Sequence, residues 1–176
     1  MSTPTRTTLG TLGQVWGVVG VLCLLGSAVY RLTPYAIDAL SSPLTTVQWV
    51  LLVIYVAFMA HAEGYKGFQK QFSPRVVARA RWLGDHPTLL RVALAPAFCM
   101  GLFHATRKRL IVSWVISAMV ITLILLVKLL DQPWRGIVDA GVVVGLTWGI
   151  IALLAWLVAG ARGRALPVPP DVPEGA

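Results

Sequence analysis

Three histidines, one glutamate and a set of arginines and lysines share one stretch of this chain. His61 and Glu63 come first, followed by Lys66, Lys70 and Arg75, and then by His86, Arg91, His104 and Arg107. Three imidazoles with a carboxylate could ligate a metal such as zinc or iron, and two imidazoles could hold a haem iron. The spacing of His61, His86 and His104 matches no ligand motif, so metal and haem are the weak alternatives. Guanidinium groups at Arg75, Arg91 and Arg107 suit a phosphate or carboxylate, because their planar fork can hold two oxygens at once. Glu63 is the most informative single residue. It is either a local ion-pair partner for Lys66 or a proton-carrying, ligand-orienting carboxylate at a membrane mouth. His61, Glu63, Lys66, Lys70, Arg75, Arg91, His104 and Arg107 are therefore the candidate ligand-binding residues, with no catalytic residue assigned and no cofactor expected.

The composition says where these residues must sit. Of 176 residues, 57% are hydrophobic and 12% charged, more apolar surface than a soluble domain of this size can cover. The polar remainder is basic, with 15 Lys and Arg against 7 Asp and Glu. A soluble enzyme, a disordered regulator and a disulfide scaffold are excluded. Cys23 and Cys99 lie in apolar runs and read as small packed hydrophobes.

Long apolar runs in lipid mean helices, since every backbone polar group must be satisfied within the segment. Four runs approach the length of a bilayer crossing, at about 14–30, 44–60, 110–130 and 137–160. The first is taken as a retained helix and not a cleaved signal. A fifth, Leu89 to Ala105, contains Pro96 and Gly101 and is expected to break near Ala95. If it crossed, eight cationic residues would lie inside and six outside. If it dips and returns, twelve lie inside and only Arg31, Lys128 and Arg135 outside, which is the bias expected of a bacterial-type inner membrane. The expected fold is an all-α four-helix transmembrane bundle with a re-entrant or interfacial hairpin on the cytoplasmic side. Both termini are cytoplasmic, and five transmembrane helices are the alternative. Residues 1–163 form one membrane domain, with a cytoplasmic interfacial segment at 61–109, and the proline-rich tail 164–176 is expected to be disordered.

Within 61–109, nine basic residues stand against Glu63 and Asp85. Tyr65, Phe68 and Phe72 recur at helical spacing, with Lys66 and Lys70 on another side, as on a helix resting among lipid headgroups. Gly141, Gly145 and Gly149 offer a close-packing face, within one bundle or between copies in a homo-oligomer. Phosphate-loop and nucleophile-elbow motifs are absent, and nucleic acid is not an expected partner. The favoured reading is a non-catalytic subunit or accessory module whose basic face binds anionic headgroups or an acidic partner. The runner-up is an oligomeric carrier or channel for a small solute or lipid, with Glu63 and the hairpin lining the inner mouth. An enzyme using His61, Glu63 and His104 as acid–base groups stands third.

Overall fold

Thr7 opens the first helix by accepting the Gly10 amide on its hydroxyl at 3.2 Å. The computed structural model describes residues 7–173, and every regular element among them is helical. Helix α1 (Thr8–Ser41) is followed by a short loop and then α2 (Thr46–Met59), entered through a reciprocal cap between Thr45 and Gln48. The helix does not end at Met59. It widens into a π-helical segment, Ala60–Phe72, and tightens again as α3 (Ser73–Asp85), making one rod from Thr46 to Asp85.

Proline explains part of that π segment. In an i→i−5 ladder the amide that reaches Gln69 O belongs to residue 74, which is Pro74 and has none. The vacant Gln69 carbonyl instead accepts Trp156 Nε1 at 2.9 Å, while Gln69 Oε1 accepts Trp148 Nε1 at 2.8 Å. Ser73 Oγ adds a bond to Gly149 O. Residues of the π segment are thereby fastened to the last helix.

The chain then forms α4 (Leu89–Ala93) and α5 (Ala95–Cys99), five residues each, interrupted at Leu94 before Pro96. Each is about 7.5 Å long, far below a bilayer crossing. Gly101 and His104, both at positive φ, turn the chain into α6 (Arg107–Val127), and α7 (Trp134–Ala161) completes the fold. Four helices among the described residues are long and apolar enough to span a membrane: Thr8–Ser41, Thr46–Asp85, Arg107–Val127 and Trp134–Ala161. This is the architecture of a multi-pass membrane protein, with no fifth helix of spanning length at 89–105.

Helices α1 and α7 run antiparallel, Gly136 meeting Tyr35 and Ala39 at one end and Leu153 sharing the main core with Val18 and Val21 further along. The Thr46–Asp85 rod runs parallel to α7: Tyr55 faces Gly141, Phe68 faces Gly149, and Val77 with Arg81 faces Gly160. The main core gathers Val18, Val21, Val76, Val77, Leu83, Phe98 and Leu153 around one end of this trio. Pro96 packs on Gly20, and Cys99 on Gly17, so α4 and α5 lie against the first half of α1. Helix α6 stands apart. Only Ser113 is buried, and the helix is tied near its start by Ser113 Oγ to Met100 O and Trp114 Nε1 to Leu102 O.

Candidate functional site

Helix α7 meets the rod through its glycines. Gly141, Gly145 and Gly149, the face that could have paired two copies, are covered within the chain by Tyr55, Glu63 and Phe68. Between α2, the π segment, α6 and α7 a cavity of about 480 Å³ remains. Its walls are mostly apolar, from Phe58, Met59, Val120, Leu123, Ile124 and Val142, and its polar groups are Tyr55, Glu63, Asp139, Arg135 and Lys128. That size and lining suit a small organic molecule. A larger groove, about 770 Å³ beside Pro34, is built from α1 alone and has no second wall.

Glu63 is half-buried and reaches the middle of α7. It meets α7 at Gly145, eleven residues after Trp134 and sixteen before Ala161. The α-helical spacing puts Glu63 near Lys66 at the inner boundary, but the wider π turn carries its side chain to α7. There Oε2 is buried with no hydrogen-bond partner among the described residues. Asp139 is 3% exposed. Its Oδ2 lies 3.7 Å from Arg135 Nε, and Arg135 stacks 3.6 Å from the centre of the Tyr35 ring. Six residues of α7 separate Asp139 from Gly145, about 9 Å along the axis. The cavity thus holds two carboxylates at two depths, one paired with a cation and one with none.

The other sequence candidates divide. His61 is exposed and its ring lies 5.9 Å from Tyr65; Lys70 Nζ sits 4.5 Å over the same ring, and Lys66 projects outward. Arg107 is exposed at the start of α6. His86 stacks on Trp82 at 4.5 Å, Arg91 lies 5.0 Å over Trp82 and donates to His86 O, and His104 tilts against both Trp82 and Phe98. The three histidines do not meet: His61 belongs to the π segment, whereas His86 and His104 flank Trp82. Among the described residues no three His, Cys, Asp or Glu side chains come together to hold a metal ion. Burial lowers the His104 pKa below the ordinary imidazole value, helped by the charges of Arg91 and Arg79. Burial likewise pushes the Cys99 thiol up to about 12, against a smaller pull from Arg79.

Arg79 was not singled out by sequence, and it is the most enclosed cation among the described residues, at 0% exposure. Its guanidinium donates to the carbonyls of Phe98 (2.6 Å), Phe103 (3.1 Å), His104 (3.0 Å) and Pro170 (2.7 Å), with Asp171 O at 3.4 Å. It also lies 4.2 Å over the Phe98 ring. One side chain therefore joins α3, the hairpin turn and the C-terminal segment. That segment lies along the bundle: Arg75 Nε donates to Asp171 Oδ2 at 2.9 Å, and the Thr106 amide to Asp171 O at 2.9 Å. The sequence signal for Arg79 was its place among Val76, Val77, Ala80 and Leu83, all buried with it.

Comparison with known proteins finds no matching family model, no similar curated protein and no similar solved structure. The site is read from its own geometry.

Proposed function

We propose that this protein is a membrane carrier for a small amphiphilic molecule bearing a protonated amine or comparable hydrogen-bond donor. One observation carries the reading. Glu63 Oε2 is buried and unpaired on the wall of an apolar cavity, well inside the span of α7. An unpaired buried acceptor costs free energy that a donor on a bound molecule would recover. The apolar body of such a molecule would lie between α2 and α6, where the loosely held α6 gives a way in from the lipid. Asp139 and Arg135 would mark a second station about 9 Å further along.

The twelve-to-three charge bias supports a cytoplasmic position for both termini, with the α4–α5 hairpin re-entering from that side of an inner membrane. The exposed Lys66, Lys70, Arg107 and Lys108 favour a second property, contact of this face with anionic headgroups.

The test uses dansylcadaverine, a fluorescent amine, with its N-acetylated, uncharged form as control. Protein in neutral-lipid vesicles is expected to bind and transport the amine and to ignore the control. Glu63→Gln is expected to weaken binding at least tenfold, and Asp139→Asn to slow transport. Unchanged binding and flux in both variants would remove the cavity from the mechanism.

A further inference from the structure

Among the described residues, the Pro170–Asp171 segment meets a cluster of cations with one carboxylate, that of Asp171. Arg75 and Arg79 are four residues apart on α3 and so share a face. Arg109, in the first turn of α6, lays its guanidinium against Gly101 of the hairpin turn, and its Nε is buried with no hydrogen-bond partner among the described residues. Asp171 lies within electrostatic range of both Arg79 and Arg109, and it is bonded to Arg75. Among the described residues, three guanidinium groups thus feel one carboxylate, and Arg75 is the one that bonds it.

The oxygens of residues 170 and 171 meet these donors one by one. Asp171 Oδ2 takes Arg75 Nε, Pro170 O takes Arg79 Nη1, and Asp171 O takes the Thr106 amide just ahead of α6. A tetrahedral phosphate group presents the same set, three acceptor oxygens, with up to twice the charge of a carboxylate. It would also sit at the positive end of α6, a 21-residue helix whose first amides have no helical partner. Arg79 keeps its bonds to Phe98, Phe103 and His104 when residues 170–171 move away, so the cation stays in position.

We infer that Arg75, Arg79, Arg109 and the Thr106 amide form a phosphate-binding site, and that the Pro170–Asp171 oxygens occupy it in the resting protein. The ligand class is a phosphate monoester, from a lipid headgroup or from solution. This site is separate from the Glu63 cavity and does not depend on the carrier reading. A tethered group acts at an effective concentration on the order of millimolar or above, so the tail weakens any free competitor.

The experiment measures inorganic phosphate binding to full-length protein in detergent, and tail release by the anisotropy of a fluorophore at Pro173→Cys in a Cys23→Ser background. Asp171→Asn is expected to bind phosphate at least tenfold more tightly than the parent chain, with an unchanged melting temperature as the folding control. Adding Arg75→Gln to Asp171→Asn is expected to abolish the gain. Nanodiscs of phosphatidylcholine with and without phosphatidic acid then distinguish the sources. Tail release by phosphatidic acid assigns a headgroup; release by inorganic phosphate alone assigns a soluble ligand. If Asp171→Asn gains no affinity and neither addition frees the tail, Asp171 is a structural clasp and the inference is overturned.

Discussion

Glu63 and Gly145 fit each other, since a Cβ on residue 145 would stand 2.8 Å from Glu63 Oε2 and 3.4 Å from Glu63 Cβ. The nearest atom is the far end of a flexible side chain, so Gly145→Ala displaces the carboxylate without breaking the helix contact. Alanine favours a helix over glycine by about 1 kcal/mol, which offsets the crowding. Thermal unfolding of Gly145→Ala is therefore expected to stay within about 1 kcal/mol of the parent, while dansylcadaverine affinity falls. At Gly149 the opposing group is the Phe68 ring, 2.6 Å from an added Cβ, and Gly149→Ala is expected to be the less stable of the two. A reversed order of stability would mean that the glycine face is not where Glu63 is held.

Arg79 binds backbone carbonyls from three places, and its removal takes a donor from all of them at once. Arg79→Met keeps the apolar stem of the side chain but takes the donor from the carbonyls of Phe103, His104 and Pro170, while Phe98 O retains the Gly101 amide. Each buried unsatisfied group costs about 1–3 kcal/mol, so a loss above about 3 kcal/mol is expected. Arg79→Lys recovers only part, because an ammonium cannot reproduce the fork. The melting temperature checks the size of the loss. Faster protease cleavage after Arg164 checks that the tail has let go.

Gly20 receives Pro96, while Gly26, further along α1, has nothing within 4 Å of an added Cβ. Gly20→Leu pushes against a rigid ring and is expected to cost about 1–3 kcal/mol; Gly26→Leu is expected to be neutral. Cys99 is 1% exposed beneath Gly17 and serves as the reporter. Maleimide labelling of Cys99 is expected to rise in Gly20→Leu and to stay at the parent rate in Gly26→Leu.

His104 links stability to pH. Its pKa is lower in the folded protein than in the unfolded chain, through burial first and then Arg91 and Arg79. Between the two values the unfolded chain binds more protons, so stability rises with pH across that window. Acidification below the ordinary imidazole value of about 6.5 is therefore expected to lower the melting temperature, levelling off below the folded pKa. His104→Gln is expected to flatten this part of the profile, and an unchanged slope would assign it to another group.

The span count was legible because hydropathy reports it directly: four runs in sequence became four spanning helices, and Pro96 divided the fifth into two five-residue pieces. The depth of Glu63 was not legible. Residues 60–72 carry an α-helical pattern of aromatics and lysines, and the pattern gives no notice of a π turn that moves each side chain to a new bearing. Arg79 was hidden for a different reason. Its acceptors are carbonyls near residues 98–104 and 170, and backbone groups leave no mark in a sequence. The tail illustrates the same limit: its proline content argues against a core of its own, yet Leu166 packs on the bundle's core, Asp171 bonds Arg75, and Pro170 O reaches the buried Arg79.

The end of α3 and the start of α6 are joined through Arg79, whose Nη2 reaches the carbonyls of Phe103 and His104 only a few residues before Arg107. Asp171 extends the same connection, bonding Arg75 of α3 and the Thr106 amide together. Asp85 and Lys108 must then emerge at one end of the bundle, since about 20 residues of helix would be needed to separate them by a bilayer. Cysteines at Asp85 and Lys108 in a Cys23→Ser background are expected to react with an impermeant maleimide from the same side of sealed inverted vesicles. Protection of one and labelling of the other would place 89–105 across the membrane, and the contacts of Arg79 could not then exist.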